Sequence, residues 1–371
     1  MVVQDRYQEL DSLRGIVALT VLAYHYFLVL IVFNSDTFGS SNWVNLLKYT
    51  PLHVFWAGYE AVLFFFVLSG FVLSLKFYSR KKVSYRSFLI KRWFRIYVPY
   101  YGILILALTL FALVSRLGIP GLSGWFNSIW VRPVTFGSLL NHLVLIRPFG
   151  YGQYIPVLWS LAVEVRISII FPLLMLFIKK YDWKLNLLLG IGLAAFYYEI
   201  MAFVYLFILG ALLAKHRKTI CSRFGKLSGM LKIMLLVISG LLYTVRYWAF
   251  IDEGIGDQHS LMSDVLISSG IALLIILAFS TRMSGFLKIK PFVFLGKISY
   301  SIYLSHAVIL ITLIYAFYSY LPIYIIWLIS LFVTIIASFV SYKCLEQPAI
   351  RVGRRFAEKQ EALGKGKRQL G

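Results

Sequence analysis

Charged residues, and acidic ones above all, are scarce in this sequence. They make up 14% of the 371 residues, against about 25% in a typical soluble domain. Hydrophobic residues make up 60% of the chain, and the mean hydropathy is +0.80. Apolar runs of about 18 residues or more recur, and each is long enough to cross a bilayer core of roughly 30 Å. A water-soluble globular fold is therefore excluded.

Cysteine and the motifs of soluble enzymes are also scarce. The two cysteines, Cys221 and Cys344, are too few for a disulfide framework. The sequence contains no phosphate-binding P-loop, no dinucleotide fingerprint and no His-Glu-x-x-His metal motif. Its six histidines are scattered along the chain, so no metal site is predicted.

Positive charge is abundant, with a formal net charge of +22. Of the 37 Lys and Arg residues, 31 lie in six segments that alternate with pairs of apolar spans. This distribution is the positive-inside asymmetry that orients membrane proteins. It argues against nucleic-acid binding, for which basic charge clusters on one face. We therefore predict an all-α polytopic integral membrane protein of the plasma (inner) membrane, with both termini cytoplasmic.

About ten transmembrane helices are predicted from the apolar runs. They cover residues 15–33, 54–75, 96–115, 157–178, 185–198, 200–214, 232–249, 263–280, 299–318 and 322–342. The membrane domain is predicted at 1–350 and a basic cytoplasmic tail at 351–371, lying at the inner surface or disordered. Residues 185–214 are short for two spans, which need roughly 40 residues. This segment forms either a short hairpin or one long tilted helix. The basic runs on both sides of the segment favour the hairpin.

Ionisable residues inside predicted spans are functional candidates, and four stand out, namely His25, Glu60, Glu164 and Arg166. At 1.5 Å per residue, the first three lie about 10 Å below the outer edge. A carboxylate beside an imidazole suits a general base that takes a proton from a hydroxyl. The alternative is that each group only bonds to a neighbouring helix. Arg166 pairs with Glu60 or another partner, or is structural.

Basic residues at the inner ends of the spans form a second candidate site. Arg14 and His25 are eleven residues apart, which places them on one helix face with a rise of about 16 Å. Asp11 is close enough to pair with Arg14. Arg92 and Arg95 share a helix face, and with Arg14 they suit the phosphates of coenzyme A. Orientation of the chain in the membrane is the alternative explanation for these charges.

Four sequence segments together resemble a known family. They are ELDSLRG at Glu9–Gly15 followed by His25, GYEAVLFFFVLSGF at Gly58–Phe71, KRWFRI at Lys91–Ile96 with Pro99, and WSLAVE at Trp159–Glu164 followed by Phe171 and Pro172. Weaker similarities lie at Leu295–His306 and Leu345–Pro348. In this order, from Glu9 to about Arg355, they are similar to the acyltransferase-3 family of membrane-integral O-acyltransferases.

The resemblance implies a ten-span fold, acyl-CoA as donor and a carbohydrate hydroxyl as acceptor, in a surface polysaccharide or lipid-linked glycan. The family's motif residues map onto Arg14, His25 and Glu164. Possible acceptor contacts or structural supports are Asp11, Glu60, Ser69, Trp159 and Arg166. Many members carry an appended extracellular domain, which is absent from this sequence, so a stand-alone member is expected. No bound cofactor is expected.

The resulting hypothesis is transfer of an acetyl group from cytoplasmic acyl-CoA. Its phosphates are expected near Arg14, Arg92 and Arg95, while His25 acts as the general base and Glu164 orients the imidazole. Direct transfer and an acyl-enzyme both stay open. The outer aromatic residues Trp125, Trp130 and Tyr151 are expected to stack on sugar rings or to anchor the chain at the interface.

Two other functions compete with acyl transfer. Membrane His and Glu residues also relay protons in transporters and flippases, although no inverted repeat is visible in the sequence. A non-catalytic membrane scaffold is the second alternative.

Overall fold

The structure is a computed structural model that describes residues 7–34, 42–79, 83–114, 118–145, 152–196, 201–248 and 260–369. These residues form helices joined by turns, with no β-strand among them, which confirms the predicted all-α class. The longer helices are α1 (Gln8–Leu28), α2 (Gly58–Leu75), α3 (Tyr85–Leu113), α4 (Leu158–Lys180), α5 (Trp183–Ala195), α6 (Met201–Gly225), α7 (Gly229–Tyr243), α8 (Leu261–Ala278), α9 (Lys290–Phe317), α10 (Ile323–Ser341) and α11 (Gln347–Gln369).

Each predicted span falls on one of the helices α1 to α10. Within the described ranges, six helical stretches are long and apolar enough to cross a membrane. They are Gly58–Tyr78, Tyr85–Leu113, Leu158–Lys180, Leu261–Ala278, Lys290–Phe317 and Ile323–Leu363. Two apolar helices, α5 and α7, are shorter. The membrane character of the fold is thus confirmed, while the count of ten spans and the side of the termini stay predictions.

The chain divides into two compact units. Unit 1 consists of Met1–Tyr78 with Leu174–Ser299, and unit 2 consists of Ser79–Leu173 with Tyr300–Gly371. Helices α4 and α9 each contribute residues to both units.

In unit 1, glycines allow helices α2 and α6 to pack closely. A Cβ atom on Gly70 would collide with the backbone of Phe207, and one on Gly210 would collide with the backbone of Val67. Small residues at such crossings let membrane helices approach each other. Gly70 therefore has a packing role, and Ser69 beside it, which was predicted as an acceptor contact or a structural support, is 7% exposed.

The compressed segment between residues 185 and 214 forms a helical hairpin. Gly190 of α5 packs against Tyr205 of α6. The Nζ atom of Lys215 donates to the carbonyl oxygens of Ile178 at 2.6 Å and Tyr181 at 3.1 Å, which brings the two basic ends together. The hairpin is thus confirmed and the single tilted helix is wrong. Residue 199, which separates the two predicted spans, lies outside the described residues.

In unit 2, helix α3 packs against α11 and against the turn between α10 and α11. A π-helical turn, Tyr342–Glu346, connects these two helices. Phe94 of α3 stacks on Phe356 of α11 with ring centroids 5.5 Å apart, and Gly353 lies against Phe94. Much of the predicted tail is therefore helical, and its first half packs against another helix.

Candidate functional site

Helix α1 carries Arg14 and His25 on one uninterrupted helix, as predicted. His25 is buried, and its Nδ1 atom lies 2.8 Å from the carbonyl oxygen of Val21. A carbonyl only accepts hydrogen bonds, so this contact assigns the proton of the neutral ring to Nδ1. The lone pair then resides on Nε2, which is the nitrogen that an imidazole base uses to take a proton.

The same contact recurs at two other buried histidines. The Nδ1 atom of His142 lies 2.7 Å from the carbonyl oxygen of Ser138, and that of His306 lies 2.9 Å from the carbonyl oxygen of Ile302. The bond to the preceding helical turn therefore does not by itself distinguish His25. What distinguishes His25 is its register with Arg14 and its place in the family motif.

The inner half of α1 is tightly packed within unit 1. The hydroxyl of Ser12 donates to the carbonyl oxygen of Leu287 at 2.6 Å, and Gly15 lies against the backbone of Gly296. These contacts fix the turn of α1 that carries Arg14. The structure therefore holds Arg14 on a rigid element, as a binding residue requires.

An ion pair anchors the first turn of α1. The Oε1 atom of Glu9 lies 2.8 Å from Nζ of Lys288 and accepts a bond of 2.7 Å from the hydroxyl of Ser284. Burial alone would raise the pKa of the Glu9 carboxyl, but the bonds from Lys288 and Ser284 hold that pKa below its ordinary value. The carboxylate form of Glu9 is therefore part of the fold.

A buried ionic cluster joins α2 and α8 to the segment that follows α7. We call Glu60, Arg246 and Asp264 the buried cluster. The Nη1 atom of Arg246 lies 3.5 Å from Oε1 of Glu60, and its Nη2 atom lies 2.7 Å from Oδ1 of Asp264. Nη2 also donates to the Ser263 hydroxyl at 2.8 Å, and the guanidinium lies over the Tyr59 ring. Two carboxylates thus share one guanidinium.

The partner of Glu60 differs from the expected one. Arg166 was a candidate partner, but the cation beside Glu60 is Arg246. The second oxygen of Glu60, Oε2, is buried and has no hydrogen-bond partner among the described residues. Arg166 itself is half-buried on α4. The pairing of Arg166 with Glu60 is therefore wrong.

Sequence reasoning missed Arg246 and Asp264. Both residues fall inside predicted spans, Arg246 in 232–249 and Asp264 in 263–280. Ionisable residues within spans are a functional signal. Applying that signal to every predicted span would have found both residues.

Contacts of Tyr24 join the buried cluster region to His25. The Tyr24 ring lies against Gly58, at the start of α2, where any Cβ atom would collide with it. The same ring packs edge-on against His25, with centroids 5.4 Å apart, and stacks on Trp56 at 6.4 Å. Gly58 precedes Glu60 by two residues, so His25 and Glu60 lie at the same end of the α1–α2 pair, as predicted.

In unit 2, Arg92 and Glu164 form an ion pair, which we call the arginine–glutamate pair. The Nη2 atom of Arg92 lies 2.6 Å from Oε1 of Glu164, and it donates to the Ser168 hydroxyl at 3.0 Å. The Ser168 hydroxyl in turn donates to the backbone carbonyl oxygen of Glu164 at 2.6 Å. The pair is a charge-assisted hydrogen bond of the strong kind.

The pair corrects the predicted depths of its two residues. Arg92 was expected at a cytoplasmic mouth and Glu164 near the outer edge. That difference in depth is wrong, because α3 begins at Tyr85 and carries Arg92 two turns into the helix. Arg95 follows one turn later on the same helix, so the shared face of Arg92 and Arg95 is confirmed.

The other predicted site residues of unit 2 have separate surroundings. Trp159 is 37% exposed at the start of α4. The hydroxyl of its neighbour Ser160 forms a short hydrogen bond with the Tyr303 hydroxyl. Residues near Trp159 therefore include two buried hydroxyl groups that sequence reasoning did not identify.

One of the expected sugar-stacking residues is buried. The Trp130 side chain is fully buried, its Nε1 atom donates to the Tyr154 carbonyl oxygen at 3.1 Å, and its ring stacks on Tyr315. Both roles expected for Trp130, sugar stacking and interface anchoring, are wrong, because no face of its ring is accessible. Trp125 is half-buried, and Tyr151 lies outside the described residues.

A row of buried hydroxyl residues on α10 was also missed. Ser330, Thr334, Ser338 and Ser341 recur every three or four residues and are at most 7% exposed. This spacing places them on one helix face, and it was visible in the sequence. No group of three or more His, Cys, Asp or Glu residues that could hold a metal ion occurs within the described ranges.

Comparison with known proteins identifies the family of this chain. The family model described as an acyltransferase domain matches residues 7–343, which include His25, Glu60, Arg92 and Glu164. Neither the curated proteins nor the solved structures contain a match to this chain. Because the family model covers nearly the whole chain, the protein belongs to the acyltransferase-3 family of membrane acyltransferases.

Proposed function

We propose that this membrane acyltransferase moves an acetyl group from cytoplasmic acyl-CoA to a carbohydrate hydroxyl, in a surface polysaccharide or a lipid-linked glycan. The observation that carries the proposal is His25, a buried histidine that shares helix α1 with Arg14 and lies inside the family match. Its Nδ1 atom faces the Val21 carbonyl oxygen. In that tautomer Nε2 is the basic atom. Acyl transfer to a hydroxyl needs one such base.

In the proposed reaction, the acceptor hydroxyl oxygen attacks the carbonyl carbon of the thioester. Nε2 of His25 takes the hydroxyl proton as the new C–O bond forms. The C–S bond then breaks, and the imidazolium returns that proton to the thiolate. The products are the ester and free coenzyme A, so no net proton is consumed or released.

The inner end of α1 suits the donor phosphates. Arg14 lies eleven residues before His25 on the same helix, a rise of about 16 Å. A guanidinium at that distance offers the paired N–H donors that phosphate accepts. In unit 2 the proposed phosphate contacts are Arg92, which also holds Glu164, and Arg95 on the same face of α3.

The test is transfer of radiolabelled acetyl-CoA by membranes that contain the wild-type protein, His25→Ala or the control His142→Ala. His142 is a matched control because it is also buried and its Nδ1 atom faces a carbonyl one turn away. We expect His25→Ala to lose at least about 100-fold in labelled acceptor and in free CoA. His142→Ala should retain transfer at equal protein level.

The other outcomes are equally informative. Equal transfer by wild type and His25→Ala would exclude His25 as the base. Labelled protein that survives denaturation would indicate an acyl-enzyme instead of direct transfer. Failure with acetyl, succinyl and longer donors, with native glycan present, would remove the assignment of donor and acceptor.

The buried cluster favours one alternative, proton-coupled transport. Glu60 is fully buried and shares Arg246 with Asp264, and buried membrane carboxylates also serve as proton relays. Purified protein in vesicles with a pH-sensitive dye separates the functions. A transporter would move protons without releasing CoA, whereas the acyltransferase would release CoA without moving protons.

A further inference from the structure

A cavity of about 440 Å³ lies in unit 1 beside the N-terminus of α7. Its apolar lining includes Ile233, Leu236 and Leu277, and its polar lining includes Lys232 and Arg282. Lys232 and Arg282 belong to two of the basic segments predicted to face the cytoplasm, residues 215–232 and 281–297 respectively. The cavity is thus apolar on one side and cationic on the other, and none of its lining residues is acidic.

The cationic side of the cavity lacks an anion. Arg282 is exposed and makes no ion pair or hydrogen bond with any residue in the described part of the chain. Lys232 donates to the carbonyl oxygen of Gly225 at 3.2 Å. In contrast, Lys288 of the same basic segment is paired with Glu9 at 2.8 Å. Two neighbouring cations without a carboxylate are complementary to a phosphate group.

The start of α7 adds to the positive potential. This helix has 15 residues and begins at Gly229, after Ser228, whose hydroxyl accepts from the Leu231 N–H. A helix N-terminus carries a partial positive charge that favours anions. A Cβ atom on Gly229 would meet no atom within 4 Å, so the first turn borders open space.

We propose that this cavity binds an anionic phospholipid of the inner leaflet, with its phosphate between Lys232 and Arg282. An acyl chain lies along Ile233 and Leu236, which are 60% and 37% exposed. These apolar side chains beside the cationic side favour a lipid over a soluble phosphate ester, since only a lipid carries an acyl chain that can lie on them. Basic pockets on the cytoplasmic side of membrane helices bind anionic head groups in this way.

The test uses the full chain in phosphatidylcholine nanodiscs, with phosphatidylglycerol as the probe. Lipid binding and melting temperature are measured for wild type, for Lys232→Gln with Arg282→Gln, and for the control Arg223→Gln with Lys226→Gln. The control residues are exposed and basic and lie on the same inner segment, but they do not line the cavity. We expect roughly 30-fold weaker phosphatidylglycerol binding in the cavity variant and little change in the control.

A cavity-filling variant tests the apolar side without changing any charge. Ile233→Trp should also weaken phosphatidylglycerol binding, and its exposed position should tolerate the larger ring. The melting temperature in pure phosphatidylcholine reports whether the double variant folds. If it does not fold, the single variant Arg282→Gln replaces it in the binding measurement. Weaker binding in both variant classes would support a site that uses charge and apolar contact together.

Three outcomes would overturn the proposal. Equal losses in the cavity and control variants would indicate general surface attraction. Equal binding of phosphatidylglycerol and phosphatidylcholine would remove the phosphate contact. Glycerol 1-phosphate or free CoA competing as well as the lipid would identify a soluble phosphate ester instead. The lipid-binding result does not depend on the proposed acyl transfer, because acyl transfer is measured separately by the labelled acceptor.

Discussion

The two ionic groups of this protein differ in burial and in charge balance. In the buried cluster the side chains of Glu60, Arg246 and Asp264 are 0%, 2% and 10% exposed. In the arginine–glutamate pair Arg92 and Glu164 are 12% and 22% exposed. The cluster has two carboxylates for one guanidinium, whereas the pair has one of each.

This difference separates structural charge from charge that is available for chemistry. A fully buried ion that loses its partner cannot be solvated, so removing the partner is strongly destabilising. A partly exposed ion recovers part of its solvation from water, and it can exchange its partner for a ligand. We therefore assign the buried cluster to holding α2 and α8 in place, and the arginine–glutamate pair to a role in which Glu164 or Arg92 contacts substrate.

Matched arginine substitutions give the largest expected effect. Arg246→Gln should lower the free energy of unfolding by about 3–5 kcal/mol, because two carboxylates lose their shared cation. Arg92→Gln should lower it by about 1–2 kcal/mol and still abolish acyl transfer. Unfolding in mixed detergent micelles measures the first quantity and labelled acceptor the second. Equal losses of stability in the two variants would contradict the assignment of a structural role to the buried cluster alone.

Glycine-to-alanine substitutions extend the comparison to helix packing. Gly210→Ala in unit 1 would place a Cβ atom against the backbone of Val67, whereas Gly102→Ala in unit 2 would meet only the end of the Leu345 side chain. Backbone cannot move aside, so Gly210→Ala should cost about 1–3 kcal/mol. Gly102→Ala should cost less than about 1 kcal/mol, since a leucine changes rotamer. A larger loss for Gly102→Ala would contradict the packing described for unit 2.

The smallest expected effect concerns Glu9, whose ion pair lies nearer water. Its folded-state pKa is below the ordinary value of 4.5, so its stabilising contribution is complete above that value and is lost as the pH falls through the folded-state pKa. Glu9→Gln should cost less than about 1 kcal/mol at neutral pH. Melting temperatures of the two proteins should converge in acid. A constant difference at every pH would show that the charge of Glu9 is not involved.

Much of the fold could be predicted because lipid imposes simple rules. Apolar runs of span length predicted the helices α1 to α10, and basic runs on both sides of residues 185–214 predicted the α5–α6 hairpin. The resemblance at Glu9–Gly15 with His25, and at Trp159–Glu164, predicted the family that the comparison then confirmed. These inferences need only local composition and order along the chain.

Partner choice could not be predicted in the same way. Arg166 and Arg246 are both arginines within predicted spans, and only the tertiary structure places Arg246 beside Glu60. The depth of Arg92 was wrong because the apolar run begins after the helix does, so the basic first turns of α3 were assigned to a loop. Trp130 was assigned to the outer aromatic residues. Its burial depends on Tyr154 and Tyr315, which are distant in sequence, so the local sequence did not show that burial.

The sequence by itself determined the membrane class, the apolar helices and the family, because each depends on hydrophobic length, charge asymmetry or motif order. Only the tertiary structure decided which charges pair, that Trp130 is buried and where a cationic cavity lies. The physical reason is that hydrophobic burial acts along a whole helix and tolerates small errors of position. A hydrogen bond or ion pair acts over about 3 Å and depends on how distant segments pack.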